Sequence, residues 1–186
     1  MTETDNDNDQ DNSPTPLQQV TFLLRKYKLV EGLVNLQDAP DESLAESAVQ
    51  KQNLSELQHF LDQLHPADIA LILEALPMED RLLIWSMVKA DRDGEVLLET
   101  SDAVRETLIT DMGNHELVAA TEYLDADEIA DLAPDLPQEV MDDVFRSLPV
   151  EEREQLRAAM SYPEDSVGAL MDFDVITIRE DVRMEV

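Results

Sequence analysis

Apolar residues recur along this chain at spacings of three and four, the period of a buried helix face. Val20, Leu23, Leu24, Leu29, Leu33 and Leu36 follow that rule in the first third. Ile69, Ile72, Leu73 and Leu76 form a cleaner stripe, and sixty residues on Ile129, Leu132, Ala133 and Leu136 repeat it. Prolines punctuate the pattern. Pro66 suits a first helical turn, where its missing N–H costs nothing, and Pro77 and Pro137 each end a helix. The tetrapeptide Leu-Pro-x-Glu occurs three times, at 76–79, 136–139 and 148–151. The pattern predicts helices near 17–36, 41–50, 54–63, 66–76, 78–90, 93–100, 102–112, 114–123, 126–133, 138–147 and 150–161. Helices this short bury too little alone, so neighbours must stack as hairpins to make a continuous core. The expected buried set is Ile69, Ile72, Leu73, Leu76, Ile129, Leu132 and Leu136.

The ends differ from the middle. Residues 1–16 carry Glu3, Asp5, Asp7, Asp9 and Asp11 with no base, which reads as a disordered acidic tail. Their spacing lacks the Gly and terminal Glu of a calcium loop. Near the other end, Asp174-Val-Ile-Thr-Ile178 is a short β-branched run. One strand is not stable by itself, so residues 162–186 read as a linker and the beginning of a second domain. The division is then 1–16 tail, 17–161 helical domain and 162–186 incomplete second domain.

Composition narrows the function. The chain has 186 residues, 13 Lys+Arg against 43 Asp+Glu, and a formal charge of −30. Such a surface repels nucleic-acid phosphates and anionic lipid. The longest apolar run, Ile69–Leu73, is far shorter than the ~20 residues of a spanning helix, so no direct membrane insertion is expected of this segment. Cysteine is absent, which excludes thiolate catalysis and thiolate zinc sites. His59, His65 and His115 are scattered, and His65 before Pro66 fits a structural place at a helix start. No nucleophile motif, P-loop or dinucleotide fingerprint is found, and an enzyme finds no support. Trp85 and the eight Met residues sit in apolar stretches and are expected in the core. Arg25, Lys26 and Lys28 form the one positive cluster in the first half, most simply paired with carboxylates of the same protein.

The acidic residues are unevenly placed. Between Arg105 and Arg146 lie twelve acidic residues and no Lys or Arg. Within that window Asp127 and Asp131 are four apart, on one helical face, where like charges repel. A hard divalent cation such as magnesium would neutralise them, since it takes one or two carboxylates and keeps its waters. The competing reading is structural: Asp125 and Glu128 make a capping box, Asp127 favours the helix dipole, and Asp131 is a solvated carboxylate.

Three strings carry a family resemblance: Leu-His-Pro-Ala-Asp-Ile-Ala-Leu-Ile-Leu-Glu-Ala-Leu-Pro from Leu64, Tyr-Leu-Asp-Ala-Asp-Glu-Ile-Ala-Asp-Leu from Tyr123, and Tyr-Pro-Glu-Asp-Ser-Val-Gly-Ala-Leu-Met-Asp from Tyr162. From about residue 54 onward the chain resembles the cytosolic N-terminal region of MgtE-type magnesium transporters. The resemblance implies an all-α, right-handed superhelix of short stacked helical hairpins, followed by the truncated start of a CBS domain. It implies a magnesium-sensing regulatory domain on the cytoplasmic side of the cell membrane. Its partners would be the CBS domains and membrane domain of the same transporter, within a homodimer. Bound magnesium would screen acidic residues between the N and CBS domains and favour the closed pore. The family's magnesium-contacting carboxylates fall on Asp127, Asp131 and Glu95, although Leu98-Glu-Thr-Ser-Asp102 departs from the family's turn after Glu95. The alternative is a helical-repeat scaffold that binds protein through one face, its acidity serving solubility.

Overall fold

The computed structural model describes residues 14–34, 43–162 and 166–171. Among them every regular element is helical, so the fold is all-α as the periodicity predicts. The chain divides into two compact units, residues 1–64 and 65–186. The β-branched run at 174–178 and most of the expected second-domain start lie outside the described residues.

The first unit is a pair of packed helices, α1 (Pro16–Val34) and α2 (Ser43–Leu61). Val20, Leu23 and Leu24 of α1 and Leu57 and Leu61 of α2 are buried. Two helices were expected within 41–63, and the structure has one. No Pro or Gly stands between Ser43 and Leu61, so nothing interrupts the backbone ladder. Lys26 pairs with Glu56 at 2.9 Å, in keeping with cations that answer the chain's own carboxylates.

The second unit contains α3 (Pro66–Ala75), α4 (Met78–Trp85), a 3₁₀ turn (Ala90–Arg92), α5 (Asp93–Glu99), α6 (Asp102–Asp111), α7 (Asn114–Thr121), α8 (Ala126–Leu132), α9 (Gln138–Ser147) and α10 (Val150–Ala159). A second 3₁₀ turn spans Val167–Leu170. All seven residues expected in the core are buried, none more than 8% exposed. Each fully buried Ile or Leu among them contributes about 1.5–3 kcal/mol. Trp85 is buried too, and so is Met141, but Met78, Met160 and Met171 are exposed, so methionine is not uniformly core. Met78 is the first residue of α4 and Met160 the C-cap of α10, so both exposed methionines stand at helix ends.

The Leu-Pro-x-Glu repeats mark the helix starts. Leu76 and Leu148 cap one helix in extended backbone, the conformation a following proline demands. Pro77, Pro137 and Pro149 are N-caps of α4, α9 and α10, and Glu79, Glu139 and Glu151 fall in the first turns, where the helix dipole favours them. The helix expected over 78–90 ends at Trp85, because Ser86 turns its hydroxyl back to the Leu83 carbonyl at 2.8 Å and the chain enters a turn.

An arginine locks several of these corners. Arg81 donates from Nε to the Leu73 carbonyl at 2.8 Å and from Nη2 to that of Leu76 at 3.2 Å, satisfying the C-terminus of α3 from α4. Arg105 on α6 does the same for α5, donating to the carbonyls of Leu97 at 2.8 Å and Thr100 at 2.9 Å. Arg153 on α10 donates to the Leu148 carbonyl at 2.9 Å. The C-terminal carbonyls of a helix lack intrahelical partners, and a guanidinium also complements the negative end of the dipole. At the equivalent place in α9 stands Met141, which is buried instead.

α5 packs on α3, α7 and α8. Gly94 makes the contact with α7 possible: a Cβ there would run into the Ala120 carbonyl oxygen and stand 2.9 Å from two carbons of Leu124.

Candidate functional site

Three elements of the second unit meet around one groove of about 400 Å³, lined by His65, Pro66, Glu95, Leu98, Glu99, Glu128 and Asp131. α5 contributes Glu95, Leu98 and Glu99. α8 contributes Glu128 and Asp131. The start of α3 contributes His65 and Pro66. The spacing of Glu95 and Glu99 is four, so both project from the same face of α5. Glu128 and Asp131 are three apart and share a face of α8 in the same way. No Lys or Arg is among the lining residues.

Two of the three carboxylates singled out in the sequence, Glu95 and Asp131, therefore come together from different helices. Asp127 does not line the groove. It is partly buried in the first turn of α8, whereas Asp131 is exposed. A helical spacing of four puts Asp127 and Asp131 on one side of α8, but only the later one lines the groove. Sequence reasoning missed Glu99, Glu128 and His65 as neighbours of this place. Glu99 had a signal, four residues from Glu95, while the approach of His65 follows only from the packing of α3 on α5.

Several lining groups also hold the fold. Glu128 accepts the Asp125 backbone N–H at 2.9 Å, the return half of the capping box expected there. The His65 ring nitrogen Nδ1 accepts the Ala67 N–H at 3.3 Å and caps α3, as its place before Pro66 suggests. The structural reading of these two residues is thus correct, and both remain at the groove.

A second acidic feature lies at the N-terminus of α5. The Asp93 carboxyl is raised from 3.8 to about 7 by burial, with added repulsion from Glu116 and Asp91. Glu116 is held in place because its carboxylate accepts the Gly113 N–H at 2.7 Å. On α3, Glu74 is moved the other way. The Ser101 hydroxyl and backbone N–H lower its pKa, the N–H at 2.7 Å from Oε1.

The donor set fits a hard, hydrated cation better than a soft one: carboxylates and a single imidazole, with no sulfur. Among the described residues, no three or more His, Asp or Glu residues stand close enough together to hold a metal ion by themselves. A cation at the groove would therefore keep most of its water and meet one or two carboxylates. Among those residues no helix is long and apolar enough to cross a membrane.

The second unit belongs to the class of all-α domains built from stacked short helices, here with an acidic groove on one side. Residues 64–165 match the family described as the MgtE intracellular N domain, and the chain belongs to that family. It is 23% identical over 118 residues to the magnesium transporter MgtE of Bacillus subtilis (strain 168), an alignment covering 63% of this chain and 26% of that protein. Two solved structures share the fold. The soluble part of a magnesium transporter matches with a TM-score of 0.52 and 13% identity, over 80% of this chain and 53% of that one. The cytosolic domain of the Mg²⁺ channel MgtE, in complex with ATP, matches with a TM-score of 0.52 and 22% identity, over 67% and 51%. The chain thus spans about a quarter of the curated relative and about half of each solved chain.

Proposed function

We propose that this chain is the cytosolic magnesium-sensing region of an MgtE-type magnesium transporter. The groove between α5 and α8 carries one side of a cation site, with Glu95 and Asp131 as its principal carboxylates and magnesium as the cation. The other side belongs to the CBS domains of the same transporter. Magnesium at this boundary screens carboxylates that otherwise repel, and so favours the compact arrangement and the closed pore. When magnesium falls, repulsion loosens the boundary and the membrane domain is free to open. The working assembly is a homodimer, and this region performs no catalysis.

The observation that carries this reading is the groove itself. Glu95, Glu99, Glu128 and Asp131 line one depression with no Lys or Arg among its lining residues. Membership of the MgtE N-domain family supports the assignment of cation and partner. Among the described residues no three His, Asp or Glu residues converge, so a cation at the groove needs ligands from beyond them. A thermal melt of the chain tests it. Magnesium should raise the unfolding temperature beyond the effect of sodium or potassium chloride at equal ionic strength. Equal effects would favour the scaffold reading, in which acidity serves solubility alone.

A further inference from the structure

We propose that Arg105 is a positioning residue that fixes the separation of the two walls of the acidic groove. The inference rests on the cation reading of that groove and adds a residue outside it. Arg105 stands on α6 and lines no part of the groove. Its side chain is only 14% exposed, and its nitrogens reach the end of α5 and Asp135 just beyond α8. Nε donates to the Leu97 carbonyl at 2.8 Å, and Nη2 donates to those of Thr100 at 2.9 Å and Leu98 at 3.3 Å. Those three oxygens close the C-terminus of α5, the helix that carries Glu95 and Glu99. Nη1 donates to Asp135 Oδ2 at 2.9 Å. Asp135 in turn donates its backbone N–H to the Leu132 carbonyl at 3.0 Å, so it is fastened to the end of α8, the helix that carries Glu128 and Asp131.

One planar guanidinium therefore joins the ends of both walls. Its fork is rigid, so the joint resists shear as well as separation. The other two corner arginines lack this second arm: Arg81 and Arg153 make the carbonyl bonds, and neither forms an ion pair with a carboxylate among the described residues. The clamp matters because carboxylates on opposite walls repel and tend to spread the groove. Magnesium demands near-octahedral geometry, whereas calcium accepts six to eight ligands at varied distances. A fixed separation thus favours magnesium over calcium, and a loosened one erodes that preference.

Asp135→Ala removes the acceptor of the arm to α8 and leaves the carbonyl bonds on α5 intact, so the variant keeps its fold. Asp135→Glu preserves the charge pair and is the rescue. The chain has no cysteine, so Glu99→Cys with Asp127→Cys places one spin label on each helix for pulsed dipolar distance measurement on the full chain. Asp135→Ala should broaden the distance distribution, and Asp135→Glu should restore it. Without the label sites, magnesium and calcium chloride titrations should show the magnesium-to-calcium affinity ratio falling about tenfold in Asp135→Ala, with recovery in Asp135→Glu. A loss of charge alone would weaken both ions together and leave the ratio unchanged, which overturns the proposal. An unchanged distance distribution overturns it as well. A broadened distribution in a chain whose parent shows no divalent-specific response supports Arg105 as the tie between the helices and removes the cation reading instead.

Discussion

Glu95 on α5 and Asp131 on α8 line the same groove, although different helices carry them and a whole hairpin separates them in sequence. The stacking of short helices makes this possible. Proline, arginine or both close four of these corners, at Pro77 and Arg81, Arg105, Pro137, and Pro149 and Arg153, so neighbouring helices are joined without a long loop.

Gly94 is where that stacking is tightest. Adding a methyl group forces it into the Ala120 carbonyl and to 2.9 Å from Leu124 carbons, and neither backbone nor buried leucine yields easily. Gly94→Ala should destabilise the second unit by about 1–3 kcal/mol despite alanine's better helix propensity. Chemical denaturation should show a lower midpoint with an unchanged slope.

Stability should depend on pH through Asp93. Its carboxyl is raised in the folded chain to about 7 by burial, then by Glu116 and Asp91. The folded state therefore holds this proton more tightly than the unfolded one. Below about pH 4 the group is protonated in both states and costs nothing. As pH climbs from there to about 7, ionisation favours unfolding, and above 7 the loss is complete. Asp93→Asn should match the parent near pH 4 and exceed it at pH 8. The gain is on the order of 1–2 kcal/mol once solvent screening of a partly exposed group is allowed for.

Glu74 carries the opposite sign. Its pKa is lowered by the Ser101 hydroxyl and N–H, so its contribution is present above the unfolded value of 4.5 and is lost as pH falls through the folded value. Glu74→Ala should cost about 0.5–1 kcal/mol at pH 7, the scale of a lost N-terminal cap. In melts at successively lower pH, the difference between parent and variant should shrink below pH 4.5.

Asn53 offers a stabilising change. It is 2% exposed, and its Nδ2 finds no hydrogen-bond partner among the described residues. Leucine has a similar shape and no donor to leave unmet, so Asn53→Leu should raise stability by about 1–2 kcal/mol. A lower melting temperature in that variant would show that the amide is satisfied in solution.

The same residue explains what the sequence concealed. Asn53 precedes buried Leu57 by four and Leu61 by eight, so it occupies a core position of α2. A polar residue there makes one long helix look like two short ones. Elsewhere the stripes were clean: Ile69, Ile72 and Leu73, and again Ile129 and Leu132, are buried as their spacing requires. The corner arginines were hidden for another reason. Arg81, Arg105 and Arg153 each stand four residues after an N-cap, where a cation reads as an ordinary surface partner. Only the recurrence of that spacing, after Pro77, Ser101 and Pro149, signals a shared task. At the groove, Asp131 was legible as a candidate through its spacing from Asp127, and Glu95 only through family resemblance. Which of Asp127 and Asp131 faces the groove depends on how α5 and α8 pack, and no single-helix spacing contains that.

The central claim is that the groove, rather than acidity in general, responds to magnesium. The direct measurement is the magnesium-induced rise in melting temperature at matched ionic strength, in the parent chain, in Glu95→Gln with Asp131→Asn, and in Asp127→Asn. Removing the two groove carboxylates should abolish most of the magnesium-specific rise, while Asp127→Asn should retain it. Binding by this region alone should be weak, on the order of millimolar, because coordination is incomplete. An equal magnesium-specific rise in all three proteins would contradict the account and return Glu95 and Asp131 to the solvated surface.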